Sequence, residues 1–195
     1  MPGLEAIKPN KLVNLPANAP NRAVTPARLR PAFIDKRLQV GHWECDNVIG
    51  AAHKQAIVTV VERKSGYAVM AKVSNKTADL VGAAIIEALN PLKARVKTLT
   101  YDNGKEFSGH AEIDKALGST GYFARPFASW ERGSNENFNG LMRQYVPTKR
   151  HMANITAEEL KMIENRLNNR PRKRLGFRTP AEAFYQSLCC VALRA

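Results

Sequence analysis

The sequence is poor in cysteine and has no long apolar run. Its 195 residues include three cysteines, two of them adjacent (Cys189 and Cys190), so we expect no disulfide framework and a reducing cytosol. No apolar run approaches the roughly 18 residues of a membrane-spanning helix, and the first ten residues lack the apolar stretch of a secretory signal. The four histidines show no metal-ligand spacing with the cysteines, which argues against a zinc site.

Acidic residues are scarce relative to basic ones. The chain has 30 Lys and Arg against 17 Asp and Glu, a net charge of +13. Residues 1–40 hold seven basic and two acidic residues, residues 139–195 hold eleven and four, and residues 41–138 are nearly neutral. Such an excess favours a polyanionic partner, nucleic acid before an anionic membrane. A neutral middle that keeps its carboxylates between basic flanks suits an enzyme that holds cations and grips phosphates.

Prolines divide the chain into two parts. Residues 1–40 contain six of the eleven prolines and little apolar periodicity, which disfavours a helix or a central strand. We therefore predict a proline-rich basic arm or linker over residues 1–40, either a solvated tail or an arm that holds DNA. Residues 41–195 are expected to form one domain with a C-terminal helical extension.

Within residues 41–195 the hydrophobic pattern predicts a mixed α/β sheet flanked by helices. Strands are expected at residues 42–50, 55–62, 67–73, 96–101 and 121–124. Helices are expected at residues 77–90, 109–117 and 134–145, with Thr77 and Ser134 as N-caps, and after the capping boxes that begin at Thr156 and Thr179.

Three carboxylates occupy positions suited to a metal site. Asp46 lies in the first predicted strand, Asp102 just after the fourth, and Glu136 in the first turn of a helix. Strand ends and helix starts converge at one edge of an α/β sheet. Carboxylates suit magnesium or manganese, and two such ions can clamp both oxygens of a phosphodiester displacement. Taken singly, each of the three is more often a solvated or helix-capping group.

The sequence blocks around these carboxylates resemble those of a known family. The blocks are GHWECD at residues 41–46, LTYDNGKEF at residues 99–107 and WERGSNEN at residues 130–137, with 33 residues between Asp102 and Glu136. Together with NNRPRK at residues 168–173 and TPAE at residues 179–182, they resemble the catalytic core of DDE transposases of the bacterial insertion-sequence family numbered thirty, which is related to retroviral integrases. The resemblance runs from about residue 30 to residue 193.

The resemblance implies a ribonuclease H-like fold and metal-dependent phosphoryl transfer on DNA. Asp46, Asp102 and Glu136 would be the catalytic metal ligands, with magnesium as the ion and manganese as its substitute. Such an enzyme cuts the ends of its element with water and joins the freed 3′-hydroxyl to target DNA. We expect a homo-oligomer in the bacterial cytosol, associated with the nucleoid and not with membranes.

Two alternatives stay open. Full-length relatives carry helix-turn-helix domains ahead of the core, and no such pattern is recognisable in residues 1–40. The chain could therefore be a truncated protein that binds DNA or modulates a transposase without strand transfer. A structure-selective nuclease on the same fold is the second alternative.

Basic side chains near the carboxylates and towards the C-terminus are predicted to contact DNA. Arg143 follows Glu136 by seven residues, about two helical turns, so it shares that helix face. Arg132 stands beside Trp130 on a loop, where an aromatic ring and a guanidinium could stack on a base, although Trp130 could equally be core. The other predicted phosphate contacts are Lys149, Arg150, Arg170, Arg172, Lys173 and Arg174.

Some neighbours of the three carboxylates are expected to have supporting or structural roles. Glu44 shares the strand face of Asp46 and could tune it, or pair with a lysine or arginine at the rim of the site. Trp43 faces opposite Asp46 and is assigned to the core, and Cys45 also points away from the face of Asp46. Asn103 and Gly104 are expected to shape the turn that aims Asp102. Glu106 could approach the metals, but a carboxylate at a helix start is the favoured interpretation.

Overall fold

The computed structural model describes residues 25–49, 55–125, 128–148 and 150–186, in which one mixed sheet carries helices on both faces. The strands are β1 (His42–Ile49), β2 (Ala56–Glu62), β3 (Ala68–Val73), β4 (Thr98–Tyr101) and β5 (Thr120–Phe123). The helices are α1 (Ala32–Asp35), α2 (Ala78–Leu89), α3 (His110–Leu117), α4 (Gly133–Met142), α5 (Ala157–Asn168) and α6 (Pro180–Gln186). This order confirms the predicted α/β class.

The strand order is β3-β2-β1-β4-β5. β1, β2 and β3 form an antiparallel meander, whereas β4 and β5 run parallel to β1. In the parallel pairing Glu44 lies opposite Thr100. Continuing this register by two residues brings Asp46 opposite Asp102, so the topology itself places two of the predicted carboxylates side by side.

The two faces of the sheet bury separate hydrophobic clusters. Trp43 and Cys45, both 0% exposed, pack with residues of α2, α3 and α6 on one face. Val48 points to the other face and packs with residues of α4 and α5. The alternation of side chains along β1 therefore confirms the core assignment of Trp43 and the predicted strand face of Cys45. Since α6 contributes Phe184 to the first cluster, the C-terminal helices are part of the core.

Helix starts follow the predicted capping signals in part. Thr179 and Glu182 form the full reciprocal box, each side chain accepting from the other's backbone N–H at 3.1 and 2.8 Å. Thr156 accepts from the Glu159 N–H at 3.1 Å, but the Glu159 carboxylate pairs with Arg150 instead of closing the box.

Of two further predicted caps, one is confirmed in position and one is wrong. Thr77 is the N-cap residue of α2, although its side chain forms no capping hydrogen bond. Helix α4 begins at Gly133, so Ser134 lies inside the helix rather than at its cap, and it is buried. The Glu44 carboxylate accepts from the Asn135 N–H in the first turn at 2.9 Å, a partner 91 positions away that a local capping signal does not record.

The predicted arm is wrong for the part of it that the structure describes; residues 1–24 lie outside the described residues. Residues 25–40 pack against the sheet: Ile34 is 2% exposed, and buried Arg30 donates to Thr100 Oγ1 at 2.9 Å. Pro26 and Pro31 each immediately precede a short helix, where a missing N–H costs little. The boundary predicted at residue 40 therefore falls inside packed structure. In the described part of the chain, no helix combines the length and apolarity needed to cross a membrane.

Candidate carboxylate active site

The carboxylates of Asp46 and Asp102 meet at the side chain of Arg132. Arg132 Nη1 lies 3.0 Å from Asp46 Oδ1 and 3.8 Å from Asp102 Oδ2. All three side chains are partly buried, between 19% and 27% exposed. The guanidinium therefore balances two acidic groups that the β1–β4 register forces together.

Asp102 is aimed by the turn that follows β4. The Gly104 N–H donates to Asp102 Oδ1 at 2.8 Å, and Asn103 Nδ2 donates to the Ala124 carbonyl at 2.5 Å. These bonds confirm the turn-shaping role predicted for both residues. Burial raises the pKa of Asp102; the Gly104 hydrogen bond and Arg132 oppose this rise, and the neighbouring Asp46 and Glu106 add to it.

Asp46 is oriented by a residue that sequence reasoning missed. Asn139 Nδ2 donates to Asp46 Oδ2 at 2.9 Å, while Asn139 Oδ1 accepts from Thr59 Oγ1 at 3.1 Å. The backbone N–H of Asn47 donates to Asp46 Oδ1 at 2.9 Å. The available signal was spacing: Asn139 stands three residues after Glu136 and shares its helix face.

Glu136 lies in the first turn of α4 and is exposed. With Asp46, Arg132 and Asn139 it lines a cavity of about 180 Å³. Within the described ranges, no three histidine, cysteine or carboxylate side chains lie close enough to hold one metal ion. Asp46 and Asp102 offer two neighbouring carboxylates, whose hard oxygen donors suit a divalent cation. The three-carboxylate metal site therefore stays a prediction.

Helix α4 is anchored to β1 through Asn135, which is 0% exposed. Its backbone N–H donates to Glu44 Oε2 and its Nδ2 donates to the Glu44 carbonyl, both at 2.9 Å. This double attachment fixes the start of the helix beside β1 and so sets where the next residue, Glu136, emerges.

Glu44 pairs with an arginine, as one of its two expected roles required, but in the interior rather than at the rim. Its side chain is 0% exposed and lies 2.9 Å from Arg63 Nε. Burial raises the pKa of Glu44, whereas Arg63 and the Asn135 N–H lower it. The favoured interpretation of Glu106 agrees with its position in the first turn of a short 3-10 helix, Lys105–Phe107, where it accepts from Asn47 Nδ2 at 3.1 Å.

The predicted DNA-contact residues differ in the hydrogen bonds and ion pairs that they already form. Arg143 follows the last residue of α4 and donates to the Ile49 carbonyl at 3.2 Å, at the end of β1. Arg150 is held by both oxygens of Glu159, at 2.7 and 2.8 Å, so its charge is balanced. Lys149 lies outside the described residues, as does the side chain of Trp130.

The remaining predicted contacts lie on the loop after α5. Arg170 donates to Gln144 Oε1 at 3.0 Å, Arg172 to the Leu167 carbonyl at 3.1 Å, and Arg174 to the Lys64 carbonyl at 2.8 Å. Lys173 is exposed. These partners are neutral, so the positive charge of the loop remains available.

The fold is similar to that of integrase core domains. The family model described as "Integrase core domain" matches residues 37–129. The structure is similar to that of the catalytic core domain of BIV integrase, with a TM-score of 0.59, covering 79% of this chain and 99% of that one. The two sequences are 24% identical, so this likeness concerns the fold alone.

Curated relatives of the chain include transposases of insertion sequences. The chain is 45% identical over 157 residues to the transposase for insertion sequence element IS4351 of Bacteroides fragilis, covering 80% of this chain and 48% of that protein. It is 42% identical over 159 residues to transposase InsI for IS30A of Escherichia coli (strain K12), covering 81% and 41%. The chain therefore carries an integrase core domain and is a homologue of the IS30-family transposases, as its sequence blocks predicted. It spans about half the length of the curated relatives it matches.

Proposed function

We propose that the chain is the catalytic core of a transposase, which cuts DNA strands and joins the 3′ ends of an insertion sequence to target DNA. The observation that carries the proposal is the β1–β4 register, which sets Asp46 beside Asp102, with Glu136 lining the same cavity as Asp46. Homology to insertion-sequence transposases supports the same activity.

Asp46, Asp102 and Glu136 would hold a divalent cation, magnesium with manganese as its substitute. Such an ion activates water and polarises a phosphoryl oxygen. The chemistry of the donors fits this role, because carboxylate oxygens are hard ligands and the burial of Asp102 disfavours an unbalanced negative charge.

The protein's own residues would prepare this site and hold the DNA. Asn139 fixes the rotamer of Asp46, and Arg132 balances both aspartates in the free protein. The Arg132 guanidinium would then pair with a DNA phosphate once the carboxylate oxygens are engaged by the cation. The other proposed DNA contacts are Arg143, Lys149, Arg150, Arg170, Arg172, Lys173 and Arg174. Assembly as a homo-oligomer at the nucleoid belongs to the same proposal, because two element ends must be brought together before both are joined to target DNA.

The first experiment measures nicking of supercoiled plasmid with manganese and with magnesium. We expect the parent to cut and Asp102→Asn to bind DNA normally without cutting, because an amide is a poor metal ligand. Glu112→Gln, an exposed acid on α3, is the matched control and should cut like the parent. Cutting by Asp102→Asn would remove that residue from the mechanism.

Two further outcomes separate the alternatives. A parent protein that binds DNA but never nicks it would favour a truncated DNA-binding or transposase-modulating protein. Nicking without covalent joining of products to a labelled target duplex would favour a structure-selective nuclease on this fold.

A further inference from the structure

Helix α4 borders a second cavity, of about 140 Å³, whose most prominent side chains are three arginines: Arg37, Arg172 and Arg174. The helix supplies Gly133, Ser134, Asn137 and Leu141 to this cavity, whereas it supplies Glu136 and Asn139 to the carboxylate cavity. These two sets leave the helix in different directions, so α4 is a shared wall between the two cavities.

The three arginines converge from distant parts of the chain without an acidic partner. Arg172 and Arg174 donate to the Leu167 and Lys64 carbonyls. Over the ranges that the structure describes, no carboxylate lies within ion-pair distance of the Arg37, Arg172 or Arg174 guanidinium. Three cations around one small cavity therefore have no direct ion-pair partner among the described residues.

Burial and neighbouring positive charges both lower the pKa values of Arg172 and Arg174. Partial burial lowers the pKa of Arg172, and the adjacent Arg170 and Arg174 lower it further. The pKa of Arg174 is lowered by the same cause and then by Arg37, with Glu62 opposing. Glu62 and, through Arg37, Glu44 are the acidic groups that interact with these arginines, so three guanidinium groups outnumber two carboxylates.

The backbone is shaped to bring the arginines in. Arg37 adopts a left-handed conformation with φ of 53°, which residues other than glycine rarely adopt. Arg174 Nη2 lies over Gly66, in space that a Cβ there would fill. Arg37 Nη2 is in ordinary van der Waals range of Gly133, 3.9 Å from the place of its missing Cβ. One glycine, Gly66, and one strained residue, Arg37, thus permit the convergence, and strain of this kind gathers at functional sites.

We propose that Arg37, Arg172 and Arg174 form a seat for one phosphate of the DNA backbone. Guanidinium groups bind phosphate oxygens bidentately, and three of them line this one cavity. Helix α4, about 10–12 Å across, stands between the seat and the carboxylate cavity. This inference rests on the proposed function, and it adds Arg37 and a defined location to the DNA-binding surface.

The test measures binding of the full chain to a fluorescent 20-base-pair duplex in EDTA, at two salt concentrations. Arg37→Asn removes the charge while tolerating a left-handed backbone, and Arg174→Gln removes the second charge. Arg166→Gln, an exposed arginine on α5 outside the cavity, removes the same charge elsewhere. Thermal melting of each variant verifies that it folds.

We expect each cavity variant to bind about tenfold more weakly, the size of one charge-assisted contact. The slope of log affinity against log salt should fall by about 0.9 for the phosphate lost. Arg166→Gln should change affinity less than about twofold. The double variant Arg37→Asn/Arg174→Gln should lose much less than the product of the single losses, because both arginines hold the same phosphate.

Two results would overturn the seat: losses in the cavity variants no larger than in Arg166→Gln, or single losses that multiply fully in the double variant. Either would indicate a diffuse basic surface. Because DNA binding is measured without cleavage, the two proposals can fail separately. If the protein does not cut DNA but the affinity losses of the single variants do not multiply in the double variant, the proposed catalysis is refuted and the seat is kept. If the protein cuts DNA but the affinity losses multiply fully, the seat is refuted and the proposed catalysis is kept.

Discussion

Removing the Arg132 guanidinium should tighten metal binding at the two aspartates. In the free protein Arg132 Nη1 lies 3.0 Å from Asp46 Oδ1 and 3.8 Å from Asp102 Oδ2, on the oxygens that a cation would use. Any divalent ion must displace this contact and tolerate the nearby positive charge. Arg132→Gln removes both obstacles and keeps a polar side chain with the same Cβ and Cγ methylenes.

The size of the effect follows from the geometry. The contact to Asp46 is a charge-assisted hydrogen bond between side chains that are 19% and 21% exposed, so solvent screens it in part. We assign it about 1–2 kcal/mol, between the value of an exposed pair and that of a buried charged hydrogen bond. The contact to Asp102, at 3.8 Å, is too long for a hydrogen bond and adds little. Metal affinity should therefore rise about fivefold to thirtyfold.

The assay is calorimetric titration of the protein with manganese in the absence of DNA. Arg132→Lys keeps the charge and should bind manganese much like the parent. Arg125→Gln breaks a pair with Glu131 that lies outside the carboxylate cavity, and it serves as the charge-matched control. Unchanged or weaker manganese binding by Arg132→Gln, with a normal melting temperature, would refute the idea that the guanidinium competes for the aspartates.

Three other predictions concern the site and the fold. Asn139→Leu should slow DNA cleavage about 10- to 100-fold by freeing Asp46, whereas Gly140→Ala, which meets nothing within 4 Å, should not; equal rates would show that Asn139 does not position Asp46. Burial lowers the pKa of His42 to about 4, so the stability that it contributes is present above about pH 6.5 and is lost as pH falls towards 4. The free energy of unfolding, measured with denaturant at pH 7 and pH 5, should therefore differ by about 2 kcal/mol more in the parent than in His42→Gln. Equal differences in the two proteins would contradict this. Phe184→Ala should cost about 3–5 kcal/mol in denaturant unfolding, because the ring is 0% exposed; a cost below about 1 kcal/mol would mean that α6 is dispensable.

The predictable part of this fold was local. Strand alternation around Trp43 and Cys45, and the reciprocal capping box at Thr179, depend on residues near one another in the chain. The sequence blocks around the carboxylates added the family and its fold. The position of Asp102 after a short strand was also readable, because a turn sequence of Asn103 and Gly104 marks where that strand ends.

What failed was equally specific. Proline content in residues 25–40 indicated an extended arm, yet the segment docks through Ile34 and Arg30. The bond from Arg30 to Thr100 joins residues 70 positions apart. Proline spacing reports which local conformations are excluded, and it carries no information on whether a distant sheet edge will accept the segment.

By itself, the sequence determined most of the strands and helices, part of their capping and the residues that could hold a metal or bind DNA. Only the tertiary structure decided which of them meet: Asn139 with Asp46, Glu44 with Arg63, and Arg37 with the loop after α5. The physical reason is the range of the interactions. Periodicity and capping arise between residues a few positions apart, whereas hydrogen bonds and charge pairs across the sheet depend on strand register and helix docking, which leave no periodic trace along the chain.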